Sequence, residues 1–147
     1  IPCTPKGIIR LLKEYNIPLN NKHVVIVGSS NLVGKPLAML FLQEGSNVTI
    51  CHSNIENLID YTKQADILIS DIGIPNTITG DMVKEGSVVI DAGTGRKDNK
   101  ACGDVKFDEV VNKASYITPV PGGVGPMTIA MLLDNVILVH NNKKRLN

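Results

Sequence analysis

Residues 23–45, HVVIVGSSNLVGKPLAMLFLQEG, decide the fold. Residues 24–27 are a β-branched apolar run, the pattern of a strand buried on both faces, and Gly28 ends it. A polar loop, Ser29-Ser30-Asn31, leads to an apolar helix expected over 34–43, with Pro36 in its first turn and Gly45 at its C-cap. Strand, glycine loop and helix N-terminus in series make an anion site. The first-turn N–H groups lack intrahelical acceptors, and the helix dipole places partial positive charge there. The guest this pattern points to is a pyrophosphate.

Two phosphate motifs can be tested on this loop. A P-loop needs four residues between its glycines and then Lys-Ser/Thr, whereas here five residues separate Gly28 from Gly34 and Pro36 follows Lys35. The hydroxyl that would ligate magnesium is missing, which argues against a nucleoside triphosphatase. The dinucleotide fingerprint G-x-G-x-x-G fits loosely, with Ser30 at its second glycine position and Val33 at its third. Lys35 reads as a solvated neighbour of this loop.

Outward from the loop, strands are expected at 47–51, 66–70, 87–91 and 115–118. Helices are expected from Thr4-Pro5, with Thr4 as N-cap, to Tyr15; from a Ser53/Glu56 capping box to Gln64; over 107–113; and over 127–140. Residues 79–84 read as one helical turn, 93–103 as a loop or hairpin, and 141–147 as a frayed tail. Strands alternating with helices mean an α/β fold, a Rossmann-like doubly wound parallel sheet in three layers and a single domain. His52 reads as a surface histidine, and Asp71, Asp91 and Asp104 as turn and strand-end groups.

With 147 residues, 43% of them hydrophobic, the chain can bury one sizeable core. A net charge of +1 gives no electrostatic case for nucleic acid or a membrane surface. Three cysteines without paired spacing, Cys3, Cys51 and Cys102, suit a reducing, cytoplasmic compartment, and no Cys/His cluster suggests a metal. No stretch is expected to span a membrane and no signal peptide is visible. An opening on Ile1 without an initiator Met fits a piece of a longer chain.

Two features stand apart. The final helix is apolar nearly all round, interrupted mainly by Asp134-Asn135, so one face is expected on the sheet and another against something outside this chain. Just before it, residues 118–128 carry three glycines and three prolines, a fixed backbone ending at a helix N-terminus. That segment is either a rigid connector or a ligand-binding turn.

PGGVGPMT at 121–128, with PCTPKG at 2–7, G-x-S-x-x-V-G-K-P at 28–36 and ASYITPV at 114–120, resembles the methylenetetrahydrofolate dehydrogenase/cyclohydrolase family. The resemblance covers essentially the whole chain but only the family's C-terminal, NAD(P)-binding half. The N-terminal half, with its Tyr-x-x-x-Lys motif, catalytic lysine and folate-holding Gln and Asp, has no counterpart here, so no catalytic residue is expected in this chain. The resemblance implies hydride transfer from 5,10-methylenetetrahydrofolate to NADP (NAD possible), then hydrolysis of the methenyl product to 10-formyltetrahydrofolate. It assigns Gly28, Ser29 and Ser30 to the phosphates, Ser53 to the adenosine ribose, and Thr94, Thr4 and Thr128 to the nicotinamide. Pro121, Gly122 and Gly123 line the folate side.

It further implies that residues 1–19 and 126–147 are inter-domain hinge helices, that a folate substrate and the absent N-terminal domain are partners, and that the chain is a homodimer. Departures are Thr94 where the family usually has Ile, Gly95 beside it, and serine at both 29 and 53, where many members place an arginine. The rival reading is a non-catalytic dinucleotide-binding module.

Overall fold

The β-branched runs assemble into a five-stranded parallel sheet in the computed structural model of the chain, which describes residues 1–145. In chain order the elements are α1 (Cys3–Glu14), β1 (His23–Val27), α2 (Gly34–Gln43), β2 (Asn47–Cys51), α3 (Leu58–Thr62) and β3 (Ile67–Ser70). A 3₁₀ turn at Gly80–Met82 comes next, then β4 (Val88–Asp91), the hairpin β5 (Gly95–Lys97) and β6 (Lys100–Cys102), α4 (Phe107–Val110), β7 (Tyr116–Ile117) and α5 (Val124–Arg145). The sheet order is β2-β1-β3-β4-β7. From β1 the chain first steps outward to β2, then crosses back to β3. The switch point therefore lies between β1 and β3, where open α/β sheets bind ligands beyond their carboxyl ends.

Period-two alternation sorts the strand residues onto two cores, giving the expected three layers. Val24, Ile26, Ile67, Ile69, Val88 and Ile90 pack with Ile8, Leu12, Leu37 and Phe41 of α1 and α2. On the opposite face Val25, Val27, Leu68 and Val89 meet Ile78, Val83, Val105 and Val110. The three cysteines are free thiols.

Several expectations fail, each for a local reason. Thr4 is not an N-cap: α1 begins at Cys3, with Pro2 in the cap position and no side-chain cap bond. Pro5 is tolerated in the first turn because it removes an N–H that would be unpaired there. The Thr4 hydroxyl instead meets Thr128 Oγ1 at 3.0 Å. Ser53 and Glu56 form no capping box, because α3 starts only at Leu58, after Asn57 in the left-handed region (φ 56°), and carries no side-chain cap. The final helix starts at Val124, earlier than expected, since Pro126 fits a first turn. It also continues to Arg145 where a frayed tail was expected; residues 146–147 lie outside the described residues.

That helix packs on α1 rather than on the sheet, and only its first residue, Val124, joins the buried core. Gly7 permits the crossing, because a β-carbon there would lie 3.1 Å from Met127 Cβ. Lys6 Nζ reaches Asp134 Oδ2 (2.6 Å) and Asn135 Oδ1 (2.7 Å), tying the helices midway. Ile129, Leu133, Val136, Ile137 and Val139 stay exposed. The expectation that no stretch could span a membrane does not hold by length and composition, since Val124–Lys144 is long and apolar enough. The reason is its all-round apolar composition, with a single acidic interruption at Asp134.

Candidate functional site

The loop after β1 is built on two close backbone approaches. Gly28 sits at φ +120°, and a β-carbon on it would collide with the Asp71 carbonyl oxygen. A β-carbon on Gly34 would collide with the Gly28 carbonyl oxygen. Close helix–strand packing, the job of the third glycine in the fingerprint, thus falls to Gly34, one residue beyond Val33.

Ser30 organises the entry into α2. Its Oγ accepts from the N–H groups of Val33 (3.0 Å) and Gly34 (3.3 Å) and donates to Asp71 Oδ2 (2.7 Å), while its carbonyl accepts from Lys35 N–H (3.1 Å). Pro36 has no N–H, so the first turn of α2 is satisfied from within. Within this loop, the donors left without a protein acceptor are the N–H groups of Ser29, Ser30, Asn31 and Leu32. The anion-binding capacity expected of the helix terminus has moved onto these loop N–H groups. Lys35 Nζ is held by Asn31 Oδ1 at 2.7 Å.

Beyond the carboxyl ends of β1, β3 and β4 lies a cleft of about 920 Å³. It brings together Thr4, Ser30, Thr94, Pro121, Gly122, Gly123 and Thr128, residues spread over nearly the whole sequence. Gly122 takes φ +100°, and a β-carbon on Gly123 would strike the Pro119 carbonyl oxygen, so this turn requires its glycines. Gly28, Ser29 and Ser53 do not line this cleft. Ser29 is directed toward the end of β2, where its Oγ meets His52 Nδ1 at 3.2 Å; Ser53 is exposed nearby. The predicted residues therefore fall into two groups, seven lining the cleft and three outside its lining.

Sequence reasoning missed Arg96. It is remote from the phosphate motif in sequence, but the β5–β6 hairpin swings it onto the cleft, where it is the one cationic lining residue among those described and makes no ion pair there.

The cleft walls are pinned by two buried carboxylates, in keeping with their reading as strand-end groups. Asp91 accepts from the N–H groups of Gly93 (2.9 Å), Asp104 (3.0 Å) and Val105 (2.9 Å). Asp104 accepts from Ser70 Oγ (2.8 Å) and the N–H groups of Ile72 (2.7 Å) and Gly73 (2.9 Å). β-Carbons on Gly93 and Gly103 would collide with the Asp104 and Asp91 carboxylates respectively, and those glycines were the only signal of the pair in the sequence. Burial pushes the Asp91 carboxyl above the usual range against the pull of its three N–H donors. Burial raises Asp71 likewise; its Ser30 hydrogen bond opposes this and the Asp104 charge adds to it. Among the described residues no cluster of three or more His, Cys, Asp or Glu could hold a metal.

Known proteins share this architecture. The family described as "Tetrahydrofolate dehydrogenase/cyclohydrolase, NAD(P)-binding domain" matches residues 2–144. The bifunctional protein FolD of Bacillus anthracis is 56% identical over 138 residues, which are 93% of this chain and 48% of that protein. The chain thus spans about half the length of the curated relatives it matches. The bifunctional FolD of Campylobacter jejuni superposes with a TM-score of 0.95 at 51% identity, over 97% of this chain and 51% of that one. The Trypanosoma brucei FolD complexed with NADP and an inhibitor superposes at 0.94 with 36% identity, over 99% and 52%. The chain belongs to the tetrahydrofolate dehydrogenase/cyclohydrolase family and represents its NAD(P)-binding domain.

Proposed function

We propose that the chain supplies the cofactor half of an NADP-dependent methylenetetrahydrofolate dehydrogenase/cyclohydrolase, oxidising 5,10-methylenetetrahydrofolate and hydrolysing the methenyl product to 10-formyltetrahydrofolate. One observation carries this reading: a phosphate-ready loop with free N–H donors opens onto the same cleft as the Pro121-Gly122-Gly123 turn. When bound, the nicotinamide accepts the hydride. The protein's part is position and exclusion of water. Ser29 and Ser30 present backbone donors to the pyrophosphate, and Gly28, whose own N–H is held by the Cys51 carbonyl at 2.9 Å, sets the turn that aims them. The paired hydroxyls of Thr4 and Thr128, with Thr94, border the nicotinamide, and Pro121 to Gly123 form the folate wall.

The remaining wall is proposed to come from a folate-binding half of the kind the relatives carry outside the matched region, with α1 and α5 as the hinge helices. Such a half would cover the apolar face of α5. The Lys6–Asp134 pair midway along the helix suits a protein neighbour better than lipid. A cytoplasmic location and a homodimer belong to the same reading. Left uncovered, the apolar face should drive association. Light scattering of the purified chain at about 100 µM should give a dimer or larger species; a clean monomer that binds no hydrophobic dye would contradict this.

Cofactor choice turns on the Ser29–His52 corner. No carboxylate ends β2 to repel a 2′-phosphate, and the chain's arginines, Arg10, Arg96 and Arg145, lie far from this corner in sequence, so NADP preference should be modest. A charged hydrogen bond contributes roughly 1.5–3 kcal/mol, about 10- to 150-fold in affinity. Ser29→Arg should therefore raise the NADP:NAD affinity ratio at least about tenfold. Calorimetric titration of both cofactors into wild type and variant checks this. An unchanged ratio would place the 2′-phosphate elsewhere, and no binding of either cofactor to wild type would overturn the reading.

A further inference from the structure

We infer that Asp71 is a ligand-binding residue of the cleft, whose carboxylate accepts a hydrogen bond from a ribose hydroxyl on the nicotinamide side of the dinucleotide; this rests on the dinucleotide reading above. Asp71 directly follows β3 at the switch point and lines the cleft half-buried. Its Oδ2 is fixed by Ser30 Oγ at 2.7 Å, and Ser30 is itself fixed by the N–H groups of Val33 and Gly34. The carboxylate plane is thus set before any ligand arrives. Oδ1 has no protein partner among the described residues, leaving an oriented carboxylate acceptor in the cleft.

The ligand chemistry is dictated by the charge. A carboxylate repels phosphate but pairs well with a neutral diol, whose hydroxyls donate to it. Of the two riboses in a dinucleotide, the one on the side of Thr4, Thr94 and Thr128 shares this cleft, while the Ser29–His52 corner lies outside its lining. Attraction to a hydroxyl and repulsion of the neighbouring pyrophosphate predict opposite consequences of removing the charge, so one experiment separates them.

The chain and its Asp71→Ala and Asp71→Asn variants should be titrated calorimetrically at neutral pH with NADP and with adenosine 2′,5′-bisphosphate, which lacks the nicotinamide riboside. Thermal melting of each variant verifies the fold, with the isosteric Asn variant as the safeguard should Ala not fold. Asp71→Ala should weaken NADP by at least about tenfold, Asp71→Asn by less, and the bisphosphate by under about twofold in both. Unchanged or tighter NADP binding in folded variants would overturn the inference, as would equal weakening of both ligands, which would mean that Asp71 only props up the phosphate loop. A wild-type chain that binds neither ligand would overturn the dinucleotide reading itself, and the inference with it.

Discussion

Purified chain 1–147 supplied with methylenetetrahydrofolate and NADP should turn over at least about 10⁴-fold more slowly than a two-domain relative. General acid–base catalysis contributes about 10²–10⁴-fold, and fixing the reactants in line contributes more still. Among the described residues lining the cleft there is no lysine, and the Asp91 carboxylate is already taken up by three backbone N–H donors. Following the reduced cofactor by absorbance decides the matter; turnover comparable to that of a two-domain relative would mean that proton transfer and substrate orientation both reside in this chain.

The second large effect concerns Asp104. Its carboxylate, fully buried, is the only described acceptor for Ser70 Oγ and for the N–H groups of Ile72 and Gly73. Asp104→Ala would leave three donors without their protein partner, at about 1–3 kcal/mol for the buried Ser70 hydroxyl and less for the N–H groups of half-buried Ile72 and exposed Gly73, which water can reach. Together a destabilisation of roughly 2–4 kcal/mol is expected, a drop in melting temperature on the order of 5–15 °C. Ser70→Ala, which removes one donor and leaves the loop bonds intact, should cost only about 1 kcal/mol. Thermal denaturation followed by circular dichroism checks both. Equal losses for the two variants would show that the loop N–H groups do not depend on Asp104.

The sheet was legible in the sequence because its strands are short β-branched runs, Val24 to Val27 above all, whose burial on both faces leaves little alternative. The glycine loop was legible for the same local reason. Caps were read less well. Thr4 and Ser53 have the side chains of good N-caps, but the helices begin where Pro2 and the left-handed Asn57 fix the backbone, and tertiary contacts then recruit the Thr4 hydroxyl to Thr128. Seven of the assigned site residues do converge on one cleft, whereas Gly28, Ser29 and Ser53 gather beside it. Arg96 and the Asp91–Asp104 frame were beyond reach, since their importance lies in what a hairpin and a buried pair bring together over distance. Neither has a periodicity or a local motif.

The central claim, that this chain is a working cofactor half, is tested most directly by joining it to a complementary half. Residues 1–147 should be fused behind the N-terminal half of the Bacillus anthracis relative and assayed with methylenetetrahydrofolate and NADP. The chimaera should produce reduced cofactor at a rate within about 100-fold of that relative, a loss of under about 3 kcal/mol in transition-state stabilisation. A folded chimaera that binds both folate and NADP yet remains as inactive as the isolated chain would contradict the claim.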